Sequence, residues 1–184
     1  LRDAVATVLM NLGTAYSSLG RIQQAITVLE EANAIYLETG NQNNRAMALV
    51  CLGEVQGHLG KTQDAIHFAS EGLALARTMA NPFVESAALC ILGELERDSL
   101  NWDAAIARNL EAIQKADFIC NAEIRNIART RLCMVFLLSD NLIDARKTIE
   151  DALQIEAPSE KHVASAMYGI VLLRQGNHQQ AKQQ

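Results

Sequence analysis

The side chains that could do chemistry are few, and their spacing does not bring them together. His58 and His67 stand nine residues apart and would not share a helix face, while His162 and His178 flank a different helix. Cys51, Cys90, Cys120 and Cys133 form no C-x-x-C pair and make no metal-ligand spacing with the histidines. Three of the thiols fall where a helix needs a small apolar residue, so they read as reduced packing thiols. The acidic pairs Glu30-Glu31 and Glu94/Glu96 read as solvated helix faces rather than paired catalytic carboxylates. Trp102 opens a helix and is placed to pack at a junction rather than to stack a base. No phosphate loop, nucleophile elbow or H-E-x-x-H is present. The expectation is a protein without catalytic residues, metal or cofactor.

Bulk composition narrows the partners. The 184 residues are 49% hydrophobic and 20% charged, enough apolar material for a continuous core. A net charge of −5 argues against nucleic acid, because phosphate backbones are held by clustered Lys and Arg. No run of six like charges makes a tail, and the apolar stretch Met134–Leu138 is bounded by Arg131 and Asp140, too short to span a membrane. With no signal peptide and no disulfide pattern, the cytoplasm is the expected location.

What the sequence does contain is a period. Leu12, Leu52, Leu92 and Leu132 are each 40 residues apart, as are Ala25, Ala65, Ala105 and Ala145. Ala32, Gly72, Ala112 and Ala152 keep the same step, and a further small column runs Gly13, Gly53, Gly93, Cys133 and then Gly169. Inside one period, Val5, Val8, Leu9 and Leu12 and then Ile22, Ala25, Ile26, Leu29 and Ala32 recur at helical steps. Leu19-Gly20-Arg21 breaks the two runs, and the break returns at Leu59-Gly60-Lys61, Leu100-Asn101-Trp102, Asp140-Asn141-Leu142 and Gln175-Gly176-Asn177. Small residues at 13 and 25 let antiparallel backbones approach. Asn101, Asn141 and Asn177 are placed to cap second helices, Asn81 to cap ahead of Pro82, and Ser159 likewise after Pro158. Helices are expected near ~4–19 and ~22–38 and again every ~40 residues, nine in all with the start of a tenth, and no strand. Because Ala145 to Ala181 spans only 36 residues, the second helix of the fourth pair should stop early, near Ile155.

Leu9-x2-Leu12-Gly13-x2-Tyr16 followed by Ala25-x3-Leu29 resembles the tetratricopeptide repeat. Leu49, Leu52, Gly53 and Ala65, then Leu89, Leu92, Gly93 and Ala105, repeat it. A fourth copy departs with Arg129 and Cys133 but keeps Phe136 and Ala145, and a fifth begins at Tyr168-Gly169 with Leu172 and Ala181. The resemblance implies an all-α, right-handed α-solenoid of stacked antiparallel helix pairs. The repeats would cover 4–43, 44–83, 84–123, 124–160 and an incomplete 161–184, as a single array and a piece of a longer protein. Units of 40 rather than the family's 34 residues look like those of kinesin light chains, of G-protein-regulator adaptors that orient the spindle, and of sensor arms in bacterial STAND ATPases and transcriptional activators.

The same resemblance implies that first helices line a concave side. By register those positions are Thr7, Met10, Asn11, Thr14 and Ser17; Met47, Val50, Glu54 and His58; Cys90, Glu94, Arg97 and Asp98; and Thr130, Arg131, Met134 and Leu137. The partner-binding set expected from them is Asn11, Thr14, Met47, Val50, Glu54, His58, Glu94, Arg97, Arg131 and Met134. The family's carboxylate clamp needs several Lys, Arg and Asn on successive first helices and is absent. The expected function is an interaction module, scaffold or sensor arm, for a peptide or partner domain. The alternative is an intracellular receptor for a small inducer or signalling peptide that regulates an attached ATPase or activator domain, with a deep apolar pocket near Met134, Leu137 and Ile170.

Overall fold

A computed structural model describes residues 1–154 and 161–182. It contains α1 (Arg2–Ser18), α2 (Ile22–Thr39), α3 (Gln42–His58), α4 (Thr62–Thr78), α5 (Pro82–Asp98), α6 (Trp102–Phe118), α7 (Ala122–Leu138), α8 (Leu142–Leu153), α9 (Lys161–Arg174) and α10 (His178–Ala181). The described residues hold no strand. First helices begin at 2, 42, 82 and 122 and second helices at 22, 62, 102 and 142, the 40-residue period expected from the sequence. The chain divides into two compact halves, Leu1–Leu95 and Glu96–Gln184.

Every described turn is built alike. A left-handed residue stands at Gly20, Gly40, Gly60, Ala80, Leu100, Cys120, Asp140 and Gly176. The amide after it reaches back five residues, as in Arg21 N to Tyr16 O at 2.8 Å and Asn141 N to Phe136 O at 2.8 Å. This satisfies carbonyls that a helix C-terminus leaves open and reverses the chain in three residues. Glycine adopts such a φ without steric penalty, whereas the four other side chains are held there against it.

The asparagines distribute differently from expectation. Asn141 does cap α8, its Oδ1 accepting from Asp144 N at 3.3 Å. Asn101 and Asn177 do not cap: their Nδ2 groups donate to Glu96 Oε2 and Gln180 Oε1. Asn81 caps α5 as expected, accepting from Val84 N at 3.2 Å, and Asn41 and Asn121 cap the other first helices from the amides of Asn44 and Ile124 at 3.2 and 2.9 Å. Ser159 lies outside the described residues, as does Pro158. α8 is nevertheless 12 residues long against 17 for α4 and α6, so it ends early, at Leu153.

In the N-terminal half, Ala6, Ala32, Tyr36 and Ala48 form one buried cluster, and Ala25, Ile26, Leu29, Cys51, Leu52 and Val55 another. Full burial of a side chain such as Leu29 stabilises by about 1.5–3 kcal/mol. Tyr36, fully buried, meets Thr7 Oγ1 with its hydroxyl at 2.9 Å, so its polar end is satisfied. Gly53 and Gly72 set the closeness of α3 and α4. A Cβ on Gly53 would stand 3.0 Å from Ala65 O and Ala69 N, and one on Gly72 would stand 3.0 Å from Ala46 O. One expected core stripe is bare: Val5, Val8 and Leu12 are 47%, 65% and 37% exposed. Their equivalents Ala48 and Leu52 are covered by α2, but no described helix lies over this face of α1.

In the C-terminal half, Cys133, Leu137, Ala145, Ile149, Ala152, Ala164, Met167 and Val171 make the core of α7, α8 and α9. A polar seam runs beside it. Arg146 Nε donates to Glu150 Oε1 at 2.8 Å, and Tyr168 Oη donates to the same oxygen at 3.0 Å. Arg174 pairs with Asp140 at 2.9 Å, and Gln175 Nε2 donates to Leu142 O at 3.2 Å.

Candidate functional site

The first-helix positions singled out by register do not share one fate. In the N-terminal half Asn11, Thr14 and His58 are exposed, and Met47, Glu54 and Glu94 are partly exposed. Thr14 donates its hydroxyl to Met10 O at 2.9 Å, a bond within its own helix that leaves the oxygen's lone pairs outward. Thr7 is engaged with Tyr36, and Met10 and Met47 lean on the Leu29–Leu52 cluster. Val50 must be withdrawn from the set. It is 4% exposed, because Gly72 draws α4 onto α3 and the Val50 Cγ2 fills the space a Cβ there would take. Cys90 is buried as well.

The thiols behave as the packing reading expects. Burial, together with the Glu54 charge, pushes the Cys51 thiol up to about 12, and burial alone pushes Cys133 up to about 12. Neither is a nucleophile near neutrality. Cys120 is exposed and lies in a turn. Among the described residues no group of three His, Cys, Asp or Glu could hold a metal ion. No described helix is long and apolar enough to cross a membrane.

In the C-terminal half Arg97 pairs with the adjacent Asp98, Nη2 to Oδ1 at 2.6 Å. Leu137 is 4% exposed and belongs to the core of α7, α8 and α9, on which Met134 also packs. Ile170, at 45%, faces outward. Among the described residues Leu137 thus lies in the core under α8 rather than on an open surface beside Ile170. An opening lies about two turns earlier. Ile127, Thr130 and Arg131 of α7 and Val163 of α9 line an open depression of about 280 Å³. That is just below the roughly 300–1,000 Å³ of small-molecule sites and suits one or two side chains.

Two of these four residues, Thr130 and Arg131, stood at expected positions, and Ile127 and Val163 did not. A signal for both existed. Ile127 is the register equivalent of Thr7 and Met47, and Val163 follows from the 36-residue step into the last pair.

Comparison with known proteins fits this geometry. Residues 4–78 match the tetratricopeptide repeat family. No curated protein matches the sequence. Among solved structures, BtubC (BKLC) from P. vanneervenii is similar at TM-score 0.82 and 14% identity, over 98% of this chain and 77% of that one. A putative kinesin light chain with nearly identical repeats from Podosopora anserina gives TM-score 0.75 and 15% identity, over 100% of this chain and 92% of that one. The Rap conjugation gene regulator of plasmid pLS20, in complex with the Phr* peptide, gives TM-score 0.81 and 15% identity, over 95% of this chain and 50% of that one. At these identities the likeness is one of fold, an α-solenoid of paired helices. The match to the tetratricopeptide repeat thus covers residues 4–78, and across the other described helices the likeness to these structures is one of fold.

Proposed function

We propose that this chain holds an extended or helical peptide segment, or a partner domain presenting one, against the exposed side chains of its first helices. The observation that carries the reading is the depression on α7 and α9. There a register-derived position, Arg131, lines an opening together with Ile127 of its own helix and Val163 of a neighbouring first helix. The N-terminal half, taken by itself, offers the exposed Asn11, Thr14 and His58 and the part-exposed Glu54 and Glu94 as polar positions. Exposed charge pairs are worth only about 0–1 kcal/mol each, so affinity would rest on apolar anchors such as Met47, Ile127 and Val163. The tetratricopeptide fold is a scaffold for protein interaction, and the similar Rap regulator is seen with a peptide. The shallow opening favours a segment over a small inducer as ligand. Scaffold or sensor duty within a larger regulator is the role to which such binding belongs.

The test begins with peptides selected on the full chain from a random display library, followed by hydrogen exchange of the complex. Protection is expected on α1, α3, α7 and α9. A Glu54→Lys/Glu94→Lys double variant that still folds should lose basic ligands first. Protection confined to α2, α4, α6 and α8 would overturn the assignment and move the site to the second-helix face.

A further inference from the structure

The bare stripe on α1 has a period of its own. Leu1, Val5, Val8, Leu12, Ala15 and Leu19 all stand exposed, and the steps between them are 4, 3, 4, 3 and 4. Such spacing keeps one row of apolar side chains facing a single neighbouring helix along its whole length. No charged residue occurs between Asp3 and Arg21. The two charges at the start of the helix are engaged within the chain, Arg2 with Glu38 at 2.7 Å and Asp3 with Thr39 and Asn41.

The later first helices present something else at the same register. Val5 corresponds to Arg45, Glu85 and Arg125, and Val8 to Ala48, Ala88 and Ala128, three alanines that are fully buried. Ala48 shares a cluster with Ala32 and Tyr36 of α2, a close approach that a methyl group permits. Arg45 and Arg125 are ion-paired, with Glu71 and Asp117. Valine at position 8 would hold off a helix lying as α2 lies on α3, and valine at position 5 offers no charge to answer. On the stripe itself Ala4, Val5, Val8 and Leu9 line an open hollow of about 310 Å³. A helix that covers this face has to stand further out, send a side chain into the hollow and carry no charge of its own.

We infer that the occupant is α1 of a second copy of this chain, packed antiparallel across a twofold axis. The stripe is its own complement. Pairing centred at Met10 sets Leu1 against the partner's Leu19, Val5 against the partner's Ala15 and Val8 against the partner's Leu12. The partner's Leu12 then stands over the hollow beside Val8. Arg2 faces Ser18 rather than its own counterpart, and the two helix dipoles run in opposite directions. A parallel pairing would bring the two Arg2 side chains together. A contact one 17-residue helix long falls among the transient interfaces, under about 1,200 Å², so the dimer forms and dissociates with concentration. The pairing does not depend on the peptide-holding reading above.

The experiment is sedimentation equilibrium of the full chain over about a hundredfold range of concentration, in which the mass should rise toward twice that of one chain. Val8→Asp should weaken the dimer by about tenfold or more, because an unpaired charge is buried at the seam, while its melting temperature at low concentration stays near that of the parent. Leu12→Arg should weaken it in the same way. Mixed together, the Val8→Asp and Leu12→Arg variants should associate more tightly than either does alone, since antiparallel pairing sets these two positions opposite each other. A chain that stays monomeric throughout, which leaves the face to a different helix or protein, overturns the inference. So does a dimer that Val8→Asp leaves intact, or a mixture of the two variants that associates no better than each by itself.

Discussion

The two halves of this chain are made from the same pair of helices but hold it together with different residues. From Leu1 to Leu95 the left-handed turn positions are Gly20, Gly40, Gly60 and Ala80, and the small column is Gly13, Gly53 and Gly93. From Glu96 onward the turns are Leu100, Cys120, Asp140 and Gly176, and Cys133 takes the place of glycine in the column. The core facing that column changes to match: Ala69 stands beside Gly53, whereas Ile149 shares a cluster with Cys133. Backbone approach holds the first crossing, and side-chain volume fills the second. The same fold therefore has opposite sensitivities at equivalent positions.

The strongest way to break that comparison is a reciprocal exchange in the small column. Gly53→Cys places atoms against Ala65 O and Ala69 N, backbone that cannot move aside, and should destabilise by about 1–3 kcal/mol or more. Cys133→Gly removes a fully buried side chain and should cost about 1–2 kcal/mol through the void it leaves. Urea melts of both variants measure it. Two losses of equal size and equal tolerance to further enlargement would mean the crossings are alike after all.

A smaller effect, of opposite sign in the two halves, is expected at the turns. Gly60→Ala should destabilise by about 1 kcal/mol, because alanine is strained at φ 73°. Leu100→Gly should stabilise by up to about 1 kcal/mol, since Leu100 is largely exposed and holds φ 60° without a packing return. A melting temperature that falls for both would show that Leu100 contributes something beyond its strain.

The smallest effect separates the halves by pH. Asp3 accepts hydrogen bonds from Thr39 Oγ1 and Asn41 Nδ2, and these hold its carboxyl below the usual 3.8. Glu150 is held below 4.5 mainly by its hydrogen bond from Arg146, with Tyr168 adding to it. Both contributions are complete above those ordinary values and fade as pH falls through the lowered ones. Tyr168 acts at the other end, where burial first and then Glu150 raise its hydroxyl above 10, so its contribution fades as pH rises through that raised value. Glu150→Gln should flatten the C-terminal half's response at both ends while leaving the acid response around Asp3 unchanged. Amide exchange of α8 and α9 against α1 and α2 reads this directly.

Much of the fold was legible because a 40-residue repeat and a 3.6-residue stripe are both properties of residue order. Each turn was visible as a break, but four of its left-handed residues were not, since nothing in Ala80, Leu100, Cys120 or Asp140 advertises a positive φ. The stripe of Val5, Val8 and Leu12 was legible as apolar but not as bare, because periodicity identifies a face and is silent about whether a helix covers it. Capping divided similarly: an asparagine before a helix has two hydrogen-bonding ends, and Asn101 and Asn177 use the other one. In the candidate site, two of the residues named by register, Thr130 and Arg131, line an opening, while Val50 and Leu137, also named, are buried to a degree set by how closely α4 and α8 approach. That closeness is a tertiary quantity, set by Gly72 in one half and by the core around Ile149 in the other.

The left-handed residue recurs at every twentieth position from Gly20 to Asp140, and at four of these places an asparagine cap follows it directly. Loss of residues 41–80 would join Gly40 to Asn81, again a left-handed residue followed by a cap, and a duplicated block of the same length would do likewise. Such a chain can gain or lose whole pairs through recombination of its coding sequence without devising a new joint. Reach, meaning the number of side-chain rows offered to a ligand, is then a heritable variable in its own right, adjustable while the chemistry of every surviving row stays as it was.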